Sequence, residues 1–208
     1  MKKIPHADIT LSPVTLGTMT YGSPVAFDDA VALTRYAAAR GINHIDTANM
    51  YEGYGRYAGS AGGLAEEIVG EAIRTLRRED IVIATKLGMK VGSAPEDEGT
   101  GPAAIRKQLD VSLRRLGTDY VDLYYLHRPD PDHPLAEILG ALAREIAAGK
   151  IRYYGVSNYS AEQLAALLRC ADAEGLPRPV ICQPPLSLLK PAAAQDLLPL
   201  CEQIGRAS

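Results

Sequence analysis

The sequence predicts an α/β fold of the (β/α) barrel type, with about six of the eight strand–helix units of such a barrel present. Three observations lead there. Short β-branched or apolar runs alternate six times with helical segments along 208 residues, the pattern of parallel strands joined by right-handed crossovers. Polar or ionisable residues close successive strands, at Asp46, Lys86, His127, Ser157 and Gln183. That placement gathers side chains on the C-terminal face of a barrel, where such folds build their sites. No G-x-G-x-x-G follows the first strand, which counts against a doubly wound dinucleotide fold. We read residues 1–208 as one domain.

The elements follow in order. Ile4 to Leu16 alternates around Pro5 and Pro13 and reads as a short hairpin, with Val14 to Thr18 as the first core strand. Asp28 or Asp29 is expected to cap a helix running through Val31, Leu33, Tyr36 and Ala37 to Gly41. Ile42 to Ile45 is the second strand, and its character changes at Asp46. The loop from 52 to 63 holds five glycines and no proline, and is expected to be mobile. Leu64, Ile68, Ala72 and Leu76 share one helical face. The third strand runs from Ile81 to Lys86, and a polar loop from Met89 to Gly101 follows it. Pro102 opens a helix with a stripe of Ile105, Leu109, Ser112, Leu113 and Leu116, which Gly117 stops. The fourth strand runs from Val121 to His127. Pro129, Pro131 and Pro134 keep its exit loop from turning helical early. A helix over Leu135 to Ala148 turns Ile138, Leu139, Leu142 and Ile146 inward. Ile151 to Val156 is the fifth strand, Ser160 caps the helix through Leu164, Leu167 and Leu168, and Val180 to Gln183 is the sixth strand. A last helix is expected from Leu188 to Ile204.

Composition narrows the function classes. The charges are dispersed and sum to -3, which argues against a nucleic-acid or anionic-membrane partner. The start, MKKIPHADITLSP, has no apolar core of a secretory signal, and no run of about 18 apolar residues is present to span a membrane. Cys170, Cys182 and Cys201 are scattered, with no C-x-x-C pair, as expected in a reducing cytoplasm rather than a disulfide framework. No metal site is expected.

The stretch GINHIDTANMYEGYG (41–55) organises the functional reading. An acid at the end of a buried strand is costly without a partner. Lys86 and His127 end later parallel strands at the same face, and Tyr51 lies in the loop after Asp46. Asp46, Tyr51, Lys86 and His127 are therefore the central candidate set.

With these residues in view the chain resembles the aldo-keto reductases. The motifs that carry the likeness are GTMTYG (17–22), GINHIDTANMYEGYG (41–55), IATKLG (83–88), LDVSLRRLGTDYVDLYYLHRPD (109–130) and GKIRYYGVSN (149–158). The likeness runs from about Leu16 to Leu200. The resemblance implies a (β/α)8 barrel that reduces an aldehyde or ketone, a small-molecule carbonyl substrate, with a nicotinamide cofactor. The cofactor expected is NADPH, and the sequence leaves NADH open. Tyr51, Lys86, Asp46 and His127 match the family's catalytic tetrad. Ser157, Asn158 and Gln183 match the residues that hold the nicotinamide carboxamide, with Gly17, Thr18 and Met19 as further cofactor contacts. In this scheme Tyr51 gives a proton to the alkoxide that hydride addition leaves. The Lys86 ammonium is expected to lower the Tyr51 pKa, Asp46 to hold Lys86, and His127 to orient the carbonyl.

Two departures are visible. Leu186 stands three residues after Gln183, where the family usually has a ring stacked on the nicotinamide. Six units are read where the family has eight, and the missing loops are those that commonly build the phosphate site. The expectation is a chain truncated at its C-terminal end, with an open sheet whose two edges invite self-association. Two other readings stand beside the reductase: a truncated barrel without turnover, and a cofactor-sensing regulatory subunit.

Overall fold

A computed structural model of the chain describes residues 1–57, 60–189 and 191–203. Strands β1 (Lys2–Lys3) and β2 (Thr10–Leu11) form a small antiparallel hairpin. The main sheet holds β3 (Thr15–Gly17), β4 (His44–Asp46), β5 (Val82–Leu87), β6 (Val121–Leu126), β7 (Ile151–Ser157) and β8 (Ile181–Gln183). Their spatial order is their chain order, and every pairing is parallel. Between them run α1 (Phe27–Ala39), α2 (Leu64–Ile73), α3 (Pro102–Leu116), α4 (Leu135–Ala147) and α5 (Ala161–Ala173), and α6 (Leu197–Gln203) follows β8. This is the curled, six-stranded partial (β/α) barrel foreseen from the alternation. None of its helices is long and apolar enough to cross a membrane, among the described residues.

The sheet is covered on both faces, and for that reason β5 and β6 are buried at every position. Alternation sends Ile83, Leu87, Tyr124 and Leu126 outward against the helices, where Ile105, Leu109 and Leu116 of α3 are wholly buried. Each such side chain contributes about 1.5–3 kcal/mol by its burial. Val82, Ala84, Leu123 and Tyr125 turn the other way and pack with Ile4, Ala7 and Ile9 of the hairpin segment. The hairpin thus plugs the end of the sheet where the strands begin. Asn43 Nδ2 donates to Thr10 O at 2.8 Å, and Arg152 donates to Asp8 O at 3.0 Å. Gly155 is required here. A Cβ at that position would lie 2.6 Å from Ile181 and 2.7 Å from the Tyr125 ring.

Several boundaries differ from expectation, each for a local reason. The hairpin spans residues 2–11, while Thr15–Gly17 pairs with β4 in the other sheet. Val14 stays outside the strand and exposed. Helix α1 starts one residue before Asp28. Asp28 and Asp29 therefore lie in its first turn, where they favour the helix dipole, and no side chain caps it. Leu33 and Tyr36 face solvent, and Thr34 is the buried residue instead, hydrogen-bonded to Tyr21 at 2.8 Å. Helix α2 ends at Ile73, with Leu76 still packed on the core. The expected helix does not start at Leu188, and Pro191, which lacks an amide hydrogen, stands ahead of the helical turns that do form. Leu188 and Leu189 are exposed, a short turn covers Ala192–Ala194, and α6 begins at Leu197. Ile204, and Ala58 and Gly59 of the glycine-rich loop, lie outside the described residues. Ser160 does cap α5, accepting from the Gln163 amide at 3.1 Å.

At the strand starts, Asp122 is buried and accepts from Arg78 at 2.8 Å, Arg152 at 2.8 Å and the Ile83 amide at 2.9 Å. Asp122→Ala removes all three hydrogen bonds at once and leaves the amide without its partner. We expect a loss of about 2–4 kcal/mol in unfolding free energy by urea denaturation. A loss under ~0.5 kcal/mol would show that water replaces the carboxylate there.

Candidate active site

Strands β4, β5 and β6 bring the central residues together. Parallel register sets Asp46 beside Ala84, and Lys86 beside Tyr125. Lys86 is 0% exposed and Asp46 is 8% exposed. Lys86 Nζ donates to Asp46 Oδ2 at 2.7 Å, to Thr47 O at 2.9 Å and to Tyr51 Oη at 3.5 Å. The three ammonium hydrogens thus have three acceptors. Thr18 supports the pair from the residue after β3, its amide and hydroxyl both donating to Asp46 O at 3.0 and 3.1 Å. Tyr51 lies in the loop after β4, and its ring meets His127 edge-on with centroids 6.0 Å apart. His127 follows β6 directly, its amide donating to Leu87 O at 2.9 Å. Its buried Nδ1 has no hydrogen-bond partner among the described residues.

Burial governs the electrostatics. It pulls the Lys86 pKa down, against the opposing pull of Asp46. It pushes the Tyr51 hydroxyl up to about 12, helped by the Asp46 carboxylate. The sequence led us to expect the opposite direction for Tyr51. The reason is that burial of the phenol outweighs Lys86, which is paired with Asp46 and makes its longest contact to Tyr51. Burial and the Lys86 charge hold His127 down to about 4. At neutral pH, therefore, Tyr51 carries its proton and His127 is uncharged.

The proposed cofactor residues lie at the next strand ends. Ser157 Oγ donates to Gln183 O at 3.0 Å. Asn158, in the left-handed region at φ 59, donates from Nδ2 to His127 O at 2.8 Å and to Ser157 Oγ at 3.2 Å. Asn tolerates that backbone state better than most residues. Asn158 Oδ1 and the half-buried Gln183 side-chain amide make no hydrogen bond among the described residues. Beyond them a cleft of about 660 Å³ runs from Asn158 and Tyr159 to Pro184, Pro185 and Leu197. Gly17, Thr18 and Met19 sit where β3 ends. Met19 is 53% exposed and open to contact, whereas the Thr18 side chain is buried and committed to Asp46. Leu186 is half exposed. Sequence reasoning missed Thr47 and the supporting role of Thr18. A main-chain acceptor such as Thr47 O leaves no mark in residue type.

A parallel sheet with a buried carboxylate, ammonium and phenol at its C-terminal face defines the class: a (β/α) barrel protein with an enzyme-like site. The chain belongs to the aldo/keto reductase family, whose model matches residues 13–206. It is 39% identical over 211 residues to "Protein tas" of Escherichia coli (strain K12), a match covering 90% of this chain and 60% of that protein. It is 34% identical over 226 residues to the "NADH-specific methylglyoxal reductase" of the same organism, covering 99% of this chain and 65% of the relative. The "Probable voltage-gated potassium channel subunit beta" of Oryza sativa subsp. japonica is 34% identical over 208 residues, covering 98% and 60%. The chain thus spans about three fifths of the length of these relatives.

His127 gives a pH prediction. An unfolded histidine takes up a proton near 6.5, whereas folded His127 resists protonation down to about 4. Between those values the unfolded chain binds more protons, so this contribution to stability is full above about pH 6.5 and lost as pH falls toward 4. Urea unfolding across that window should show a smaller acid loss in His127→Gln than in the parent chain. An NMR titration of the His127 ring with a midpoint near 6.5 would refute the assignment.

Proposed function

We propose that this chain acts as a nicotinamide-dependent reductase of aldehydes or ketones, with Tyr51 as proton donor. The observation that carries the reading is the fully buried Lys86 ammonium held between Asp46 and the Tyr51 hydroxyl. An ion pair serving structure alone has no need of a phenol as third acceptor at the mouth of a barrel. Reductase-named relatives favour reduction over the two non-catalytic readings.

The residues fit a nicotinamide carboxamide. Asn158 Oδ1 is an acceptor with no donor among the described residues, and the Gln183 amide supplies a donor. Ser157 and Asn158 are already oriented by their bonds to Gln183 O and His127 O. When bound, NADPH or NADH supplies the hydride. The protein's own task is to hold the carbonyl and deliver a proton. The substrate oxygen sits within reach of Tyr51 Oη and the His127 ring. His127 is neutral at pH 7, so it can donate a hydrogen bond but does not serve as the proton source. Tyr51 holds its proton at neutral pH. An alkoxide is a stronger base than a phenolate, even one with its pKa raised to about 12. The tyrosine O–H bond therefore breaks as the alcohol O–H bond forms, and the phenolate is left beside Lys86. Lys86 matters chiefly after transfer, when its charge faces a full negative charge.

The test is a calorimetric titration of NADPH and of NADH into the chain, followed by an aldehyde screen. Tyr51→Phe should lower turnover by at least about 100-fold, the usual scale of a general acid, with cofactor affinity within twofold of the parent. Unchanged turnover in Tyr51→Phe would sink the proton-donor role. A folded chain that takes up neither nucleotide would overturn the reductase reading.

A further inference from the structure

The carbonyls of Asn49, Met50 and Tyr51 are three consecutive acceptors, and each is held by a different donor. Arg115 of α3 donates to Asn49 O at 3.4 Å, Arg56 donates to Met50 O at 2.7 Å, and the Ala65 amide at the start of α2 donates to Tyr51 O at 3.0 Å. Arg115 also reaches the far end of the same loop, donating to Ala61 O at 3.3 Å. One guanidinium therefore bridges both ends of the segment that carries Tyr51. A planar fork with five donors suits this, and a lysine does not replace it.

Arg115 is itself fixed by Glu66 of α2. Its Nη1 lies 3.3 Å from Glu66 Oε2, and Glu66 Oε1 accepts from the Thr85 hydroxyl at 2.6 Å. Glu66 is 0% exposed. Burying a carboxylate is costly, so a surface ion pair would have been the simpler way to join two helices. Gly63 completes the arrangement. It has φ +92, and a Cβ there would overlap the Arg115 guanidinium. Asn49 adds a second tie to α3, donating to Gln108 Oε1 at 2.7 Å. Thr85 precedes Lys86 on β5 with its side chain on the opposite face, so Glu66 anchors Arg115 to the strand that carries the lysine.

We infer that Arg115, held by the buried Glu66, is a positioning residue that sets the Tyr51 main chain relative to Lys86. It touches neither the phenol nor the place of a substrate, and it acts through the carbonyls of Asn49 and Ala61. The chemical role of Tyr51 rests on the reductase reading above, whereas its placement by Arg115 does not.

Arg115→Met alone strands a buried carboxylate and risks unfolding. The experiment therefore uses Arg115→Lys, which keeps the charge, and the double variant Glu66→Gln/Arg115→Met, which removes both charges. Amide hydrogen exchange is followed in the full chain at the hydrogen-bonded amides of Tyr51, Tyr54 and Ala65, with those of β5, β6 and β7 as reference. In both variants the amides of Tyr51, Tyr54 and Ala65 should exchange about tenfold faster, the scale of one net hydrogen bond, while the strand amides change less than twofold. With an aldehyde that the parent chain reduces, kcat should fall about tenfold, with cofactor affinity unchanged. Equal acceleration in loop and strands would reduce Arg115 to a general stability role and overturn the inference, as would no acceleration at all. If the parent chain reduces no aldehyde, the reductase reading fails and the exchange result still decides the positioning.

Discussion

The buried ion pair between Lys86 and Asp46 is the constraint on which the site depends. Two charges taken out of water cost several kcal/mol each, and their mutual attraction offsets this only when the remaining hydrogen-bonding groups are satisfied. Lys86 meets that condition with three acceptors from three sources: a carboxylate, a main-chain carbonyl and a phenol. The first two belong to β4 and the residue following it, so neighbouring parallel strands must end in register. The third belongs to the loop, so the loop must fold back over the strand end. Thr18, just after β3, holds the Asp46 carbonyl. Four chain segments thus converge on one ammonium, and Tyr51 becomes the group through which that charge faces the site.

The fold provides for this by keeping its two apolar clusters apart. One lies between sheet and helices, and the other lies on the concave face under the hairpin. The hairpin closes the end where the strands begin, so polar residues on the concave face gather at the other end. His44 illustrates the gradient. It lies on the same face two residues before Asp46, bonds Thr15 at 2.9 Å, and burial holds its pKa below the usual histidine value. One strand therefore passes from a neutral buried imidazole to a charged carboxylate over two residues, across the boundary between packed interior and site.

Much of this was legible in the sequence because it follows from periodicity. The six strands and the stripes of α3 and α4 are patterns of residue type, and Lys86 and His127 stand out as ionisable groups ending apolar runs. Boundaries were harder to read where local chemistry competes with pattern. Asp28 and Asp29 carry a capping signal but lie inside the first turn, and Leu33 faces water while Thr34 is buried because Tyr21 offers it a partner. The late start of the last helix, after Pro191, could have been read, since proline seldom continues a helix. The direction of the Tyr51 pKa could not. It depends on how deeply the phenol is buried and on how completely Asp46 has already neutralised Lys86, and spacing encodes neither.

Among the described residues three carboxylates are buried with basic partners, and comparing them separates chemistry from scaffold. Asp122 pairs with Arg78 and Arg152, and Glu66 with Arg115. In each, the acid is wholly desolvated while the guanidinium keeps 17 to 38% of its side chain in solvent. Such cations retain hydration and serve to fix elements: strand starts in one case, α2, α3 and the Tyr51 loop in the other. Only at Asp46 is the relation reversed, with the cation the more deeply buried partner, its side chain 1% exposed against 11% for the acid. A desolvated ammonium acts most strongly on the groups within hydrogen-bond reach. The hydroxyl within that range is Tyr51, the group on which a negative charge would appear once its proton is given up. The other two pairs hold the framework that keeps this geometry, and their arginines are bound to main-chain carbonyls at the strand starts, in the hairpin segment and around the Tyr51 loop.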